Sequence, residues 1–307
     1  MQRGPGKNNR PRIAVNTRLL LKGKLEGIGW FTYETLKRMV ISHPEVDFYF
    51  IFDRKYDKDF IFASNVHPVR VFPPARHPVL FYLWFEWSIP FILKRIKADL
   101  FFSPDQFNSL RAKGKNLLVI HDLNFEHYPD DLPKLVSRYY RYFTPRFARK
   151  ADHIITVSEA SKKDIEEQYD IDNRKISVAY NGANKNYKPL SEKDIQLIRK
   201  KYSQGQPFFL FIGSLHPRKN LKNLFKAFDL YKKKNSSAEK LIIVGAKKWW
   251  TDDIENAFRE LSCQQDVIFT GHLRQEELIR LSASALALTY VSYFEGFGIP
   301  IVEAFYS

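Results

Sequence analysis

Short apolar runs that end in polar residues alternate along the chain with longer segments whose apolar positions recur at helical spacing. In the first half these runs are RIAVN, DFYFIF, ADLFFS, NLLVI, HIITV and ISVAY, and segments such as IGWFTYETLKRMVI and LVSRYYRYFTPRFARKA separate them. Short apolar runs of this kind are typical of buried strands, whereas the helical spacing is typical of amphipathic helices. The pattern therefore predicts an α/β fold, in which helices cover both faces of a parallel sheet.

The second half repeats this pattern after the polar, proline-containing stretch ANKNYKPLSEKD. Its predicted strands are FFLFIGS, KLIIVGA, VIFTGHL and LALTYVS, and its predicted helices include NLKNLFKAFDLYKKK, DDIENAFRELS and EELIRLSASA. We therefore predict two doubly wound, Rossmann-like domains that face a cleft, residues 1–185 and 186–307. Ligands of such sheets bind beyond the carboxyl ends of the strands, so the candidate site lies in the loops that follow them.

Composition excludes several classes of protein. With 44% hydrophobic and 15% aromatic residues, the chain has enough apolar surface to bury a core. Cys263 is the single cysteine, which excludes intrachain disulfides and a cysteine-ligated zinc site and suits a reducing cytosol. The basic stretch MQRGPGKNNRPRIAVN lacks the apolar segment of a secretory signal, and the apolar run at 79–93 is too short to cross a membrane. We expect a cytoplasmic protein.

Positive charge is concentrated in the first half. Residues 1–150 carry 26 Lys and Arg against 14 Asp and Glu, and the formal net charge of the chain is +15. Such a field suits nucleic acid, an anionic membrane surface or an anionic small substrate. Because no recognition motif accompanies the aromatic and basic segment YYRYFTPRFARK, nucleic acid is the least favoured partner. The aromatic run at 79–93 suits peripheral contact with the inner leaflet of a membrane, and burial in the core is the alternative.

Two predicted loops of the first half carry candidate residues. Gly27 and Gly29 precede a helical segment, where glycine lets backbone N–H groups approach a phosphate; a plain flexible turn is the alternative. His121 and Asp122 follow the apolar run NLLVI. At the carboxyl end of a strand, His121 would donate to or orient a substrate hydroxyl, unless it only hydrogen-bonds the backbone of its loop.

A basic loop follows the first predicted strand of the second half. In FIGSLHPRKNLKNLF the strand ends at Gly213, and a helix begins near Asn220 or Leu221. Arg218 and Lys219 lie between them. Two cations at a strand end and a helix N-terminus suit a diphosphate better than a solvated basic turn, because the flanking strand and helix are clearly apolar.

The stretch FEGFGIPIVEAF places two carboxylates around two glycines. Gly296 and Gly298 free the backbone, and Pro300 suits the first position of a helix. Glu303 is then expected in the first turn of that helix, while Glu295 precedes the loop. Carboxylates accept hydrogen bonds from the vicinal hydroxyls of a ribose or hexose, although Glu303 alone would also suit the helix dipole.

These residues together resemble the retaining glycosyltransferases of family 4, which have the GT-B fold. The resemblance extends through nearly the whole chain, and the two-glutamate motif is its most specific part. The matching stretches are GIGWFTYETL, VIHDL, ADHIITVSEASKKDI, ISVAYNGA, FIGSLHPRKNLKNLFKAF, IIVG, VIFTGHLRQEEL and YFEGFGIPIVEAF.

The resemblance implies catalytic roles for four residues. His121 would contact the donor sugar near its reacting carbon, and Glu295 would contact the same sugar. Lys219, with Arg218 beside it, would neutralise the leaving diphosphate. Many family members have an arginine directly after the glycine where this chain has Ser214, and Arg218, in the form PRKN, is taken as its substitute.

The resemblance also implies contacts that bind the two substrates. Glu303 would bind the ribose hydroxyls of the nucleotide, and the backbone N–H groups of Phe297 and Gly298 would help to hold the donor. The other expected contacts are Gly27, Gly29, Gly213 and Ser214 on the donor side and Asp122 and Asn181, with Gly182, on the acceptor side.

The implied reaction moves a hexose from a nucleotide diphosphate sugar to a saccharide or lipid-linked acceptor, with retention of the anomeric configuration. The PRKN form resembles mannosyl- and rhamnosyltransferases, which favours mannose. Two cations and the amides of a helix N-terminus can stabilise the leaving diphosphate, so neither a metal nor another cofactor is expected. The implied setting is the synthesis of cell-surface polysaccharide or lipopolysaccharide.

Two other functions stay open at this stage. A sugar-nucleotide epimerase of similar two-domain architecture would use the same nucleotide site without an acceptor. An inactive relative that only binds the nucleotide is the other, because family members usually continue for several strands and helices beyond this point. The chain is accordingly expected to be truncated, with an incomplete second domain.

Overall fold

The chain consists of two compact units in a computed structural model that describes residues 10–247 and 250–307. The first unit is Met1–Tyr180 and the second is Asn181–Ser307. In the chain, the two units meet between residues 180 and 181. The boundary that we predicted, between residues 185 and 186, lies in the non-regular segment at this point of the chain. Each unit has its own sheet and its own hydrophobic core.

A parallel sheet forms the centre of the first unit. Its strands are β1 (Arg12–Asn16), β2 (Asp47–Phe52), β3 (Val66–Arg70), β4 (Leu100–Ser103), β5 (Lys115–Val119), β6 (His153–Thr156) and β7 (Ile176–Val178). Among the described residues of this unit, these seven pair in the order β3-β2-β1-β4-β5-β6-β7, with every neighbouring pair parallel. The chain thus builds outward from β1 in one direction and from β4 in the other, as in a doubly wound sheet.

Helices cover both faces of this sheet. They are α1 (Gly27–Ser42), α2 (Pro78–Leu83), α3 (Ile89–Ile96), α4 (Asn124–His127), α5 (Lys134–Lys150) and α6 (Glu159–Tyr169). Successive strand residues enter two separate hydrophobic clusters: Phe50 and Val119 belong to one, and Ile51 and Leu118 to the other. The predicted α/β fold is therefore confirmed for this unit.

The edge strand β3 was not predicted from the sequence. Its residues, VHPVR, include Pro68, which has no N–H group to donate to a neighbouring strand. Among the residues that the structure describes, β3 pairs only with β2, so one side of the strand needs no partner and tolerates the proline. Because of this proline, the sequence pattern did not indicate the edge strand.

The second unit repeats the architecture with a smaller sheet. Among its described residues, four strands pair in parallel in the order β10-β9-β8-β11. Phe211 and Ile243 pack on one face of this sheet, while Leu210 and Ile242 pack on the other. The strands are β8 (Phe208–Ile212), β9 (Lys240–Val244), β10 (Val267–Gly271) and β11 (Ala287–Leu288), and the helices are α7 (Glu192–Ser203), α8 (Leu221–Asn235), α9 (Asp252–Arg259), α10 (Gln275–Ser282) and α11 (Ile299–Phe305).

Glycines draw the carboxyl ends of three strands of the second unit together. The N–H of Gly213 donates to the carbonyl of Val244, and the N–H of Gly245 donates to the carbonyl of Gly271, each at 3.0 Å. A Cβ atom at Gly245 would lie 1.9 Å from the carbonyl oxygen of Gly213. Only glycine permits this approach, which brings the loops that follow β8 and β9 next to each other.

The aromatic run at 79–93 is half buried and half exposed. Trp84, Phe85 and Ile89 lie in the core with no exposed surface, whereas Trp87 is 56% and Phe91 68% exposed. The two readings of this run, core burial and surface contact, thus apply to different residues of one helical segment. In the described part of the chain, no helix is both long and apolar enough to cross a membrane.

Candidate active site

The basic loop after β8 forms a capped turn. Pro217–Lys219 is a single 3-10 turn, and the ring Nδ1 of His216 accepts a hydrogen bond from the N–H of Arg218 at 3.3 Å. Asn220, in the left-handed conformation (φ 61°), ends the turn, and α8 begins at the next residue as predicted. The Asn220 side chain donates to the carbonyl of Val291 at 3.0 Å, which holds this loop against the segment that follows β11.

Three predicted residues of the second unit, Arg218, Lys219 and Glu295, meet at this turn. Glu295 Oε1 lies 2.5 Å from Lys219 Nζ, and Glu295 Oε2 lies 3.2 Å from Arg218 Nη1. Burial alone would raise the pKa of Glu295, but the charges of Lys219 and Arg218 outweigh it and hold that pKa below its usual value. The site therefore contains an ionised carboxylate between two cations that are far from it in the chain.

Tyr290 is part of this cluster and was not predicted. Lys219 Nζ lies 5.4 Å from the centroid of its ring. Burial, together with the charge of Glu295, raises the pKa of the Tyr290 hydroxyl, so it stays neutral. A Cβ at Gly298 would lie 3.6 Å from that hydroxyl, and the φ of Gly298 is +95°, which favours glycine. Tyr290 lies inside the predicted strand LALTYVS, whereas the observed strand β11 ends at Leu288, so Tyr290 is a strand-end residue only in the structure.

Glu303 differs from Glu295 in its surroundings. The prediction that it lies in the first turn of α11 is wrong, because α11 begins at Ile299 and Glu303 is its fifth residue. The helix dipole therefore does not explain this residue. Burial raises the pKa of Glu303 to about 7, and the nearby hydroxyl of Tyr187 only partly opposes this effect. Close to neutral pH, Glu303 is therefore partly protonated, whereas Glu295 remains ionised.

His121 is buried two residues beyond β5 in the first unit. Its Nε2 lies 2.8 Å from the carbonyl oxygen of Pro104, and its ring meets that of Phe31 edge to face at 4.9 Å. Because a carbonyl oxygen only accepts, Nε2 carries the hydrogen and Nδ1 is the acceptor of the neutral ring. Burial lowers the pKa of His121, which keeps the ring neutral at pH 7. The ring thus offers an acceptor, so of the two predicted roles it cannot donate to a substrate hydroxyl, and orienting such a hydroxyl stays a prediction. The bond to Pro104 is the backbone hydrogen bond of the alternative interpretation.

The other predicted residues of the first unit differ in their packing. Phe31 belongs to α1, so the first turns of that helix lie against His121. Gly29 is packed, since a Cβ there would lie 3.2 Å from the carbonyl oxygen of Leu19, whereas Gly27 has open space. Asp122 accepts a hydrogen bond from the N–H of Asn124 at 3.0 Å, a local turn.

The remaining predicted residues lie in the second unit. A Cβ at Gly213 would lie 3.5 Å from the Lys219 side chain, so Gly213 belongs with the cation cluster. Ser214 is exposed directly after it. Asn181 and Gly182 lie in the non-regular segment before α7, and a Cβ at Gly182 would meet nothing within 4 Å.

Candidate metal ligands do not cluster in the described residues. The sequence contains two Asp-x-Asp stretches, and three of their four side chains pair with cations. Asp57 and Asp59 both pair with Lys22, and Asp172 pairs with Arg174. Across residues 10–247 and 250–307, no three His, Cys, Asp or Glu side chains are placed to share a metal ion.

Several relatives of this chain are mannosyltransferases. O-antigen chain mannosyltransferase RfbU of Salmonella typhimurium is 32% identical over 187 residues, which cover 61% of this chain and 48% of that protein. O-antigen chain mannosyltransferase B of Escherichia coli is 25% identical over 300 residues, which cover 92% of this chain and 77% of that protein. The match thus spans about half the length of the first relative.

Solved structures share the fold at low sequence identity. WaaG, a glycosyltransferase involved in lipopolysaccharide biosynthesis, matches with a TM-score of 0.72 and 16% identity, over 95% of this chain and 78% of WaaG. HepE of Anabaena, solved in complex with UDP and glucose, matches with a TM-score of 0.67 and 18% identity, over 95% of this chain and 77% of HepE. These similarities confirm the predicted GT-B fold.

Family models cover most of the chain. The model described as Glycosyl transferases group 1 matches residues 194–307. The model described as Glycosyltransferase Family 4 matches residues 25–187, more than half of the chain. Together with the relatives and the fold, these matches show that the chain belongs to glycosyltransferase family 4.

Proposed function

We propose that this protein transfers a hexose from a nucleotide diphosphate sugar to a hydroxyl of a saccharide or lipid-linked acceptor in the synthesis of cell-surface polysaccharide. The observation that carries the proposal is the convergence of Arg218, Lys219 and Glu295 at the carboxyl edge of a parallel sheet. The names of the relatives, both O-antigen mannosyltransferases, support mannose as the hexose. The UDP bound to HepE supports a nucleotide sugar as the donor.

In the proposed reaction, the acceptor hydroxyl oxygen forms a bond to the anomeric carbon and its proton passes to the departing diphosphate. The bond between that carbon and the diphosphate breaks, and negative charge develops on the leaving oxygen. Lys219 and Arg218 stabilise that charge, which is the role a metal ion plays in many phosphoryl and glycosyl transfers. We propose that transfer needs no metal and retains the anomeric configuration. Glu295 keeps the two cations in place and contacts the donor sugar, with the backbone N–H groups of Phe297 and Gly298.

His121 has a more specific role in the proposal than the sequence indicated. With its Nε2–H bonded to Pro104, the ring accepts a hydrogen bond from a hydroxyl of the donor sugar through Nδ1. Six further contacts belong to the proposal. These are Gly27, Gly29, Gly213 and Ser214 toward the donor and Asp122 and Asn181 toward the acceptor.

Titration against a panel of nucleotide diphosphate sugars tests the proposal. Calorimetry of the 307-residue chain with the guanosine and uridine sugars is expected to identify one donor. Nuclear magnetic resonance of the product formed on a saccharide acceptor then reports the anomeric configuration, and chelation by EDTA is expected to leave the rate unchanged. Conversion of the donor without an acceptor favours the epimerase, and binding without transfer favours the relative that only binds the nucleotide. Absence of binding contradicts the proposed transferase and both of these alternatives.

The affinity for the donor is expected to rise about tenfold between pH 6 and pH 8, because Glu303 ionises with a pKa of about 7. The carboxylate accepts the ribose hydroxyls more strongly than the neutral acid does. The phosphates of a nucleotide diphosphate sugar do not titrate in this range, so the slope reports the protein. Calorimetry at several pH values measures it.

The variant Glu303→Gln keeps the shape of the side chain and removes its titration. Its affinity is expected to be independent of pH over the same range. A slope that persists unchanged in this variant assigns the pH dependence to another group and contradicts the ribose role of Glu303.

We also propose that the first unit rests peripherally on an anionic membrane surface, which places the protein at the inner face of the cytoplasmic membrane. Trp87 and Phe91 are exposed aromatic residues on one helical segment, and the guanidinium of Arg111 lies 3.9 Å from the ring centroid of Trp87. The exposed cations Lys94 and Arg95 follow in α3. Exposed aromatics beside cations are typical of interfacial helices on anionic lipid.

Replacing Trp87 and Phe91 together by serine is expected to weaken binding to vesicles with phosphatidylglycerol about tenfold, because two aromatic side chains leave the interface. Flotation measures the bound fraction. Ile41→Ser, at a residue of α1 that is 58% exposed, is the matched control and is expected to bind as the unmodified protein does. Equal binding to neutral and anionic vesicles contradicts the role of the cations.

A further inference from the structure

A buried polar cluster joins the carboxyl ends of β1 and β4. Asn16 Nδ2 donates to Asp105 Oδ1 at 2.6 Å and to Ser103 Oγ at 3.0 Å. Arg18 Nε donates to Asp105 Oδ2 at 2.5 Å. The side chains of Arg18 and Asp105 are only 9% and 1% exposed. Although Arg18 lies in a strand-end loop, its charge is thus used inside the protein and not for a ligand.

Aromatic rings enclose the Arg18 guanidinium. Its central carbon lies 4.3 Å from the ring centroid of Phe107 and 5.3 Å from that of Phe81. Such stacking, together with the ion pair to Asp105, restricts the guanidinium to one position. The carboxylate of Asp105 is therefore held from two sides, by Arg18 and by Asn16.

Asp105 lies in the same turn as the residue that contacts His121. Pro104 is the neighbour of Asp105 in the chain, and its carbonyl oxygen accepts the Nε2–H of His121 at 2.8 Å. On the other side, the N–H of Gln106 donates to the carbonyl of Val119, the last residue of β5, at 2.9 Å. The turn is thus fixed to β1 through Asp105 and to β5 through Gln106, with His121 just beyond β5.

We propose that Asn16, Arg18 and Asp105 form a positioning unit for His121. They hold the Pro104 carbonyl oxygen in the place where it binds Nε2–H, so that the ring keeps one tautomer and offers Nδ1 as an acceptor. A buried ion pair adds little net stability because desolvation offsets the attraction, and here its effect is to fix geometry. The catalytic part of this inference rests on the proposed function, whereas the tautomer part does not.

Nitrogen-15 spectra of histidine-labelled protein test the inference without any substrate. The spectrum distinguishes a protonated from an unprotonated ring nitrogen, and His121→Gln identifies the signal among the eight histidines. Asn16→Ala, which leaves the ion pair in place, is expected to give a mixture of tautomers at His121. It is also expected to lower kcat about tenfold while KM for the donor changes less than twofold.

A second change covers the ion pair itself. The double variant Arg18→Met with Asp105→Asn removes both charges together and keeps an apolar stem among the aromatic rings, so that no charge is left buried alone. The same loss of the single tautomer is expected. This variant decides the question if Asn16→Ala does not fold.

Asn108→Ala is the matched control. Asn108 is as buried as Asn16 and also bonds another side chain, since its Nδ2 donates to Asn116 Oδ1 at 2.7 Å, but it has no bond to the Pro104 turn. It is expected to lower stability and leave the His121 tautomer and kcat unchanged. An unchanged tautomer in both cluster variants overturns the inference, whereas a changed tautomer with an unchanged kcat contradicts the role of His121 in the proposed function.

Discussion

Lys219→Met is expected to lower kcat by about 10²–10³-fold while the protein stays folded. Lys219 Nζ is a buried cation held 2.5 Å from Glu295, so its charge acts where water screens it little. Methionine keeps most of the volume of the side chain and removes the charge. Arg218 remains beside Glu295, so that carboxylate is not left without a partner. Initial rates of sugar transfer with the donor identified by calorimetry measure the effect.

Lys232→Met is the matched control for this change. Lys232 pairs with Asp266 at 2.7 Å, its side chain is 11% exposed against 10% for Lys219, and Asp266 also has a second cation, Lys240. This triad lies where β9 and β10 begin, at the opposite edge of the sheet from the candidate site. The control is expected to lose stability without losing kcat. Equal kcat values for the two variants would contradict the catalytic role of Lys219.

Gly245→Ala is expected to destabilise the second unit by about 4 kcal/mol or more, enough to unfold it under ordinary conditions. The added Cβ would lie 1.9 Å from the carbonyl oxygen of Gly213, a backbone atom that cannot move without breaking the hydrogen bond from Gly213 to Val244. The strand ends would separate, and with them the turn that carries Arg218 and Lys219. Chemical denaturation followed by circular dichroism measures the change in the free energy of unfolding.

Gly271→Ala separates the clash from simple backbone strain. Gly271 ends the neighbouring strand with a φ of +70°, and a Cβ there would meet nothing within 4 Å. This variant is expected to cost about 1 kcal/mol, the usual penalty of a side chain in the left-handed region. Similar stabilities for the two variants would show that β8 and β9 do not approach as closely as described.

The elements and their loops were largely predictable because the signals for them are local. An apolar run between polar ends indicates a strand wherever it occurs, and the edge strand β3 was missed only because Pro68 obscured that signal. The same strand-end rule found His121, Arg218, Lys219 and Glu295 as separate candidates. Tyr290 was missed because the predicted strand LALTYVS contains it, whereas β11 ends at Leu288.

Contacts between distant segments were not predictable from one sequence. Arg18 and Asp105 are 87 residues apart in the chain, and the residues next to each of them do not indicate that the two form an ion pair. Arg18 read alone, in a strand-end loop of a basic domain, resembles a ligand-binding cation. Only the aromatic rings and the carboxylate around it show that its charge is used within the fold.

The sequence by itself determined the α/β class, the strand-end loops, the family and the residues that carry its motifs, because each depends on residue type and spacing along the chain. The tertiary structure alone decided how those residues are charged. Glu295 and Glu303 are the same chemical group in one short motif, yet two cations lower the pKa of the first, while burial raises that of the second to about 7. It also decided that His121 offers an acceptor, through its bond to Pro104. Ionisation and tautomer depend on burial and on partners from distant parts of the chain, which only the folded protein brings together.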